Sequence, residues 1–81
     1  MNEQNKDVLR ALAQLEGPPA FEPPTTEQVR YVMSRLHGRI YGFSYDRMFA
    51  SLCRLEKNRY VTRLAGRPAK WQITKRGRNE L

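Results

Sequence analysis

Apolar positions recur at helical spacing three times along the chain and then switch to alternation. Val8, Leu9, Leu12 and Leu15 form the first stripe and predict a helix over about 5–16, with residues 1–4 frayed. Gly17 and Pro18-Pro19 stop it, and 17–24 reads as a proline-stiffened loop in which Phe21 anchors to the core. A second helix begins after Pro24. Thr25 is its cap, and Gln28, three residues on, completes a capping box. Val29, Val32, Met33 and Leu36 make its inward stripe, and Gly38 and Gly42 bracket its exit around Ile40 and Tyr41.

Ser44 is the expected N-cap of a third helix over about 45–58, with Asp46 favourable in its first turn. Met48, Leu52 and Leu55 face inward with Phe49 and Cys53 beside them, leaving Arg47, Ala50, Ser51, Arg54 and Lys57 outward. Asn58 suits the left-handed conformation that ends a helix. The period then becomes two. Residues 60–64 are β-prone, 65–69 form a turn, and 70–74 alternate, with Trp71 and Ile73 on the core face and Lys70 and Gln72 opposite. The hairpin therefore spans 60–74. Thr74 caps a last helical turn that Gly77 interrupts. Together these elements predict one α+β domain over 1–81: a three-helix core, a two-stranded β-hairpin and a short C-terminal helical turn.

Charge changes this picture more than composition does. The chain has 81 residues and a net charge of +7. Residues 1–28 carry two Lys or Arg against five Asp or Glu, a net −3, whereas 29–81 carry thirteen against three, a net +10. A basic face of this kind meets a polyanion. One cysteine (Cys53) and one histidine (His37) exclude an internal disulfide and an ordinary Cys/His zinc site. No leader and no long apolar run is visible, so the expectation is a cytoplasmic, nucleoid-associated protein with no membrane contact. No catalytic set, phosphate-cradling glycine loop or carboxylate cluster assembles, so no enzyme activity, cofactor, metal or small-molecule ligand is expected.

Two runs carry a family resemblance. Leu52-Cys53-Arg54-Leu55-Glu56-Lys57-Asn58-Arg59-Tyr60-Val61-Thr62-Arg63 is similar to a recognition helix ending in Leu-Glu-Lys and entering a wing. Gly66-Arg67-Pro68-Ala69-Lys70-Trp71-Gln72-Ile73-Thr74-Lys75-Arg76-Gly77 is similar to a Gly-Arg-Pro wing tip, its return strand and a Thr-x-x-Gly exit. From about Thr25 to Leu81 the chain resembles the winged helix-turn-helix domains of MarR-type and PadR-type transcriptional regulators. The resemblance implies a small regulator on double-stranded DNA and a homodimer, although the long dimerisation helices of those regulators have no counterpart here. The family's glycine at the helix-to-wing turn is Arg59, so Asn58 is expected to take the left-handed conformation instead. The wing also resembles that of Zα domains through Pro68 and Trp71, but Phe49 and Cys53 stand where those domains place an Asn and a Tyr.

In this reading the helix over about 45–58 enters the major groove, and the wing tip 66–68 meets the adjacent backbone or minor groove. Arg47, Ser51 and Arg54 read bases, and Tyr45 meets a base, a phosphate or the core. Lys57 and Arg59 meet phosphate or are plain surface. Arg67 is presented outward between Gly66 and an extended Pro68. Lys70, with Lys75, Arg76 and Arg78, adds sequence-independent attraction. Arg63 contacts nucleic acid or braces the wing against an acid. The readings of another class are a winged-helix adaptor that binds protein and a sequence-independent nucleoid binder.

Overall fold

The computed structural model describes residues 2–16, 22–37 and 44–81. The expected Phe21 anchor, the Gly17-Pro18-Pro19 stop and the exit around Ile40 and Tyr41 lie outside the described residues. Six elements follow one another: α1 (Glu3–Leu15), α2 (Thr26–His37), α3 (Tyr45–Lys57), β1 (Val61–Leu64), β2 (Lys70–Ile73) and α4 (Lys75–Asn79). The fold is α+β, three helices followed by an antiparallel hairpin and a short last helix.

Each apolar stripe turns inward to one core. Val8, Leu9, Ala11 and Leu12 of α1 meet Val29 and Met33 of α2, Met48, Leu52 and Leu55 of α3, and Val61, Trp71 and Ile73 of the hairpin. Burial of these faces is what holds such short helices, since isolated helices of this length are marginal in water. Among the described residues no helix is long and apolar enough to cross a membrane.

Capping sets the helix ends. Thr25 and Gln28 form the capping box: the Gln28 amide donates to Thr25 Oγ1 (3.3 Å) and the Thr25 amide to Gln28 Oε1 (2.8 Å). Ser44 Oγ accepts from the Arg47 amide at 3.2 Å. At the other end of the chain's order, α1 starts earlier than its apolar stripe suggests. Asn2 Oδ1 accepts from the Asn5 amide at 2.7 Å, so residues 3 and 4 are helical and not frayed.

The end of α3 also differs from expectation. Asn58 has φ −91°, and it is Arg59 that is left-handed, at φ 65°. The Tyr60 amide donates to the Leu55 carbonyl and the Arg59 amide to the Glu56 carbonyl, both at 2.9 Å. That pair of bonds is a Schellman motif, which requires the left-handed residue one position beyond the cap. Bond register overrides asparagine's intrinsic preference.

In the hairpin Val61 pairs with Ile73, Thr62 with Gln72, Arg63 with Trp71 and Leu64 with Lys70. Val61, Arg63, Trp71 and Ile73 therefore share the core face. The far edge of β2 is closed by the segment leading into α2: Thr25 bridges Lys70, and the Trp71 amide donates to the Pro24 carbonyl at 2.8 Å. Thr74 caps α4 by accepting from the Gly77 amide at 3.0 Å. Gly77 does not interrupt that helix; it lies buried within it.

Candidate nucleic-acid interface

The core stripe of α3 fixes what its other side presents. With Met48, Leu52 and Leu55 inward, 100° per residue turns Asp46, Ala50 and Lys57 directly away, with Arg47 and Arg54 on one flank. All five are exposed. Arg47, Ala50, Arg54 and Lys57 form an i, i+3, i+7, i+10 line about 15 Å long. Arg54, Lys57 and Arg59 are exposed and make no ion pair among the described residues, so the later part of this line and the helix exit are charged and solvated.

Ser51 does not belong to it. It is 3 % exposed, and its Oγ accepts from Gln4 Nε2 of α1 at 3.0 Å. A polar residue beside the core stripe was expected outward, but α1 packs over that side of α3. Ser51 is a buried tie between two helices.

The opposite flank of α3 carries an aromatic ladder. Tyr45, 43 % exposed, stacks on Phe49 with ring centroids 6.1 Å apart and planes 10° apart. Phe49 in turn meets Trp71 edge-on at 5.8 Å. Arg63 covers the ladder from β1: its guanidinium carbon lies 5.2 Å from the Phe49 ring centre and 5.0 Å from that of Trp71. Its Nη2 donates to Cys53 Sγ at 3.0 Å and sits 3.2 Å from Glu56 Oε1. Arg63 thus braces the hairpin against α3, one of its two expected roles. The aromatic half of that brace was missed. Its signal is Phe49 and Cys53 one turn apart beside the core stripe, opposite an arginine paired with tryptophan. The ladder holds the Tyr45 ring in place while leaving one end in water, which suits contact with a phosphate or base edge.

The hairpin tip bends through 65–68, with Gly66 at φ 140° and a cis Arg67–Pro68 peptide. The extended presentation expected from Pro68 is not adopted, because the five residues 65–69 must reverse the chain between paired Leu64 and Lys70, and 65–68 are bent. Arg67 is exposed at this tip. Lys70 lies on the outer face as expected, but its Nζ is 2.6 Å from Glu22 Oε2. The hydrogen bond and charge of Lys70 hold the Glu22 carboxyl below the usual carboxylate range. Arg78 is likewise paired with Glu16, and Arg76 lies over the Tyr60 ring at 5.1 Å. The structure therefore brings Tyr45, Arg47, Arg54, Lys57 and Arg59 onto one helix and its exit, with Arg67 on the braced hairpin. It sets Ser51 aside and half-neutralises Lys70. Among the described residues no group of three or more His, Cys, Asp or Glu side chains is placed to hold a metal ion.

Arg59 offers a direct way to separate charge from conformation. A left-handed non-glycine residue is disfavoured by about 1–2 kcal/mol, and glycine relieves that at some cost in unfolded-chain entropy. Arg59→Gly should therefore raise stability by about 0.5–1 kcal/mol, read from the urea midpoint. If Arg59 also meets phosphate, the same variant should bind duplex DNA more weakly. A variant that is both less stable and unchanged in binding would refute both halves. No family model, curated protein or solved structure matches the chain.

Proposed function

We propose that this chain is a winged-helix protein that binds double-stranded DNA as a small, non-catalytic transcriptional regulator, with α3 in the major groove and the hairpin as its wing. The observation that carries the reading is the exposed line Arg47, Ala50, Arg54, Lys57, continued by Arg59 at the helix exit. A helix of this width fits the major groove of B-DNA, and a small residue between two arginines lets the backbone approach base edges. Arg47, in the first turn, is the base-reading arginine, since the first turn of a recognition helix meets base edges. Lys57 and Arg59 fall where the helix leaves the groove and meet phosphate. The brace of Arg63 on Phe49 and Trp71 favours the same arrangement, because it presents Arg67 at a fixed distance from α3. Arg67 then enters the minor groove, where a narrow A·T tract concentrates negative potential.

Five cations make this reading: Arg47, Arg54, Lys57, Arg59 and Arg67. Each positive charge brought against the duplex, in a groove or on a phosphate, neutralises about one phosphate charge and contributes about −0.9 to the slope of log affinity against log salt, so the slope should be about −4 to −5. Fluorescence anisotropy of a labelled duplex across a salt series measures it. A slope near zero, or no binding in low salt, would remove DNA as the partner and favour a protein adaptor. Binding with that slope but no enrichment from a random library would favour a nucleoid-type binder.

A further inference from the structure

We infer that Asp46 is a specificity determinant of the α3 surface, selecting cytosine by accepting from its exocyclic amino group. The inference rests on the duplex-binding reading above and adds to it a base and a residue.

Three acids fall within the basic part of the chain: Asp46, Glu56 and Glu80. Glu56 is taken up by Arg63 in the brace, and Glu80 lies beyond α4 at the chain's last residues. Of the acids elsewhere, Glu16 and Glu22 pair with Arg78 and Lys70. Asp46 differs from these. It is exposed, it has no ion pair or side-chain hydrogen bond among the described residues, and it points directly away from Met48 and Leu52. It therefore stands on the outermost line of the helix, one turn before Ala50 and next to Arg47. The helix dipole favours an acid in the first turn. It does not require that acid on the line that would face DNA, where a carboxylate repels phosphate and weakens binding to every sequence.

A carboxylate can only accept hydrogen bonds. In the major groove the donors are cytosine N4 and adenine N6, and adenine sets its N7 acceptor beside N6. That lone pair repels a carboxylate, so cytosine is the favoured partner. The adjacent Ala50, with only a methyl group, leaves room for the close approach that a side chain as short as aspartate needs. Asp46 thus lowers affinity for most duplexes and recovers it on a site that offers cytosine.

The test begins with duplexes that the parent protein enriches from a random library. Each C·G pair in them is replaced in turn by T·A, and binding is measured for the parent, Asp46→Ala and Asp46→Asn. At one position the parent should lose about tenfold in affinity, the size of one good base contact. Asp46→Ala should lose less than about twofold there, and should bind random duplex more tightly than the parent by removal of one repelling charge. Asp46→Asn should move the preference at that position to adenine, whose N6 and N7 match an amide. Thermal melting of both variants checks that the fold is kept, and Asp46→Asn preserves side-chain shape if alanine weakens the helix start. If the parent binds duplex but every C·G replacement affects parent and Asp46→Ala alike, Asp46 serves only the helix end and the inference falls while the duplex reading stands. If the parent binds no duplex at all, both fall together.

Discussion

Trp71→Ala should leave much of this protein unfolded at room temperature. Trp71 is fully buried and is the largest such side chain in the core. Truncating a buried aromatic removes about 3–5 kcal/mol. A single core in a chain of about 80 residues rarely supplies more than about 3–5 kcal/mol in total. The position also ties three parts of the chain together. The indole Nε1 donates to Thr26 Oγ1 at 2.9 Å, at the start of α2, and Thr26 is itself buried. The Trp71 amide donates to Pro24, and the ring meets Phe49 of α3. Trp71→Phe should lose less, because it keeps the aromatic contact and gives up the Thr26 bond. Urea unfolding followed by circular dichroism orders the three proteins. A Trp71→Ala protein with an unchanged midpoint would mean that the indole is a surface group and that the hairpin docks without it.

The parts of this fold visible in the sequence are those governed by near neighbours. The capping box of Thr25 and Gln28, the caps at Ser44 and Thr74, and the inward stripes of α1 and α3 each depend on residues within about two turns. The alternation of Trp71 and Ile73 is equally local. What escaped depends on contacts far apart in sequence. Ser51 sits on the border of the α3 stripe, and only the arrival of Gln4, 47 residues away, decides that it is buried. Asn58 has the better intrinsic preference for a left-handed turn, yet the bonds from Tyr60 and Arg59 to α3 assign it to Arg59. The closure of β2 by Pro24 and Thr25 has no local signature at all. Asn2 is the exception, since an asparagine followed by glutamate is a readable helix start that the apolar stripe alone overlooks.

The same division holds for the candidate interface. Exposure of Arg47, Arg54 and Lys57 follows from the 3.6-residue period. The state of each hairpin cation does not. Lys70 and Arg63 both fall on the hairpin; Lys70 looks available in the sequence and Arg63 is open between a contact and a brace, but one is drawn to Glu22 and the other is folded over two aromatic rings. An ion pair as exposed as Lys70 with Glu22 adds little stability, but it lowers the net charge that this side of the hairpin offers to a polyanion. Charge counting overstates the basic face wherever such pairs form; the candidate interface draws on five of the thirteen cations after residue 28.

Gly77→Ala should destabilise the protein even though alanine is the better helix former. Within a helix that exchange is worth about 1 kcal/mol in favour of alanine. Packing opposes it. A Cβ on Gly77 would stand 2.3 Å from the Tyr60 carbonyl oxygen, 3.2 Å from the Tyr60 carbonyl carbon and 2.9 Å from Ile73 Cγ1. The Ile73 side chain can rotate away, but the Tyr60 backbone cannot easily follow. Its carbonyl accepts from the Thr74 amide at 3.0 Å, and its amide closes the end of α3 on the Leu55 carbonyl. Moving Tyr60 therefore disturbs both the Schellman motif and the first hairpin bond. Moving α4 instead pulls on the Thr74 cap and on the pair between Arg78 and Glu16. Overpacking of a fixed site is destabilising by about 1–3 kcal/mol and sometimes more; a clash with backbone belongs at the upper end. The expected net loss is about 2 kcal/mol once the propensity gain is subtracted. Lys75→Ala, on the exposed side of the same helix, is the control and should be close to neutral. Urea midpoints of the two variants measure the difference. A Gly77→Ala midpoint at or above the parent's would show that propensity wins, and that α4 does not lie against Tyr60 closely enough to exclude a methyl group.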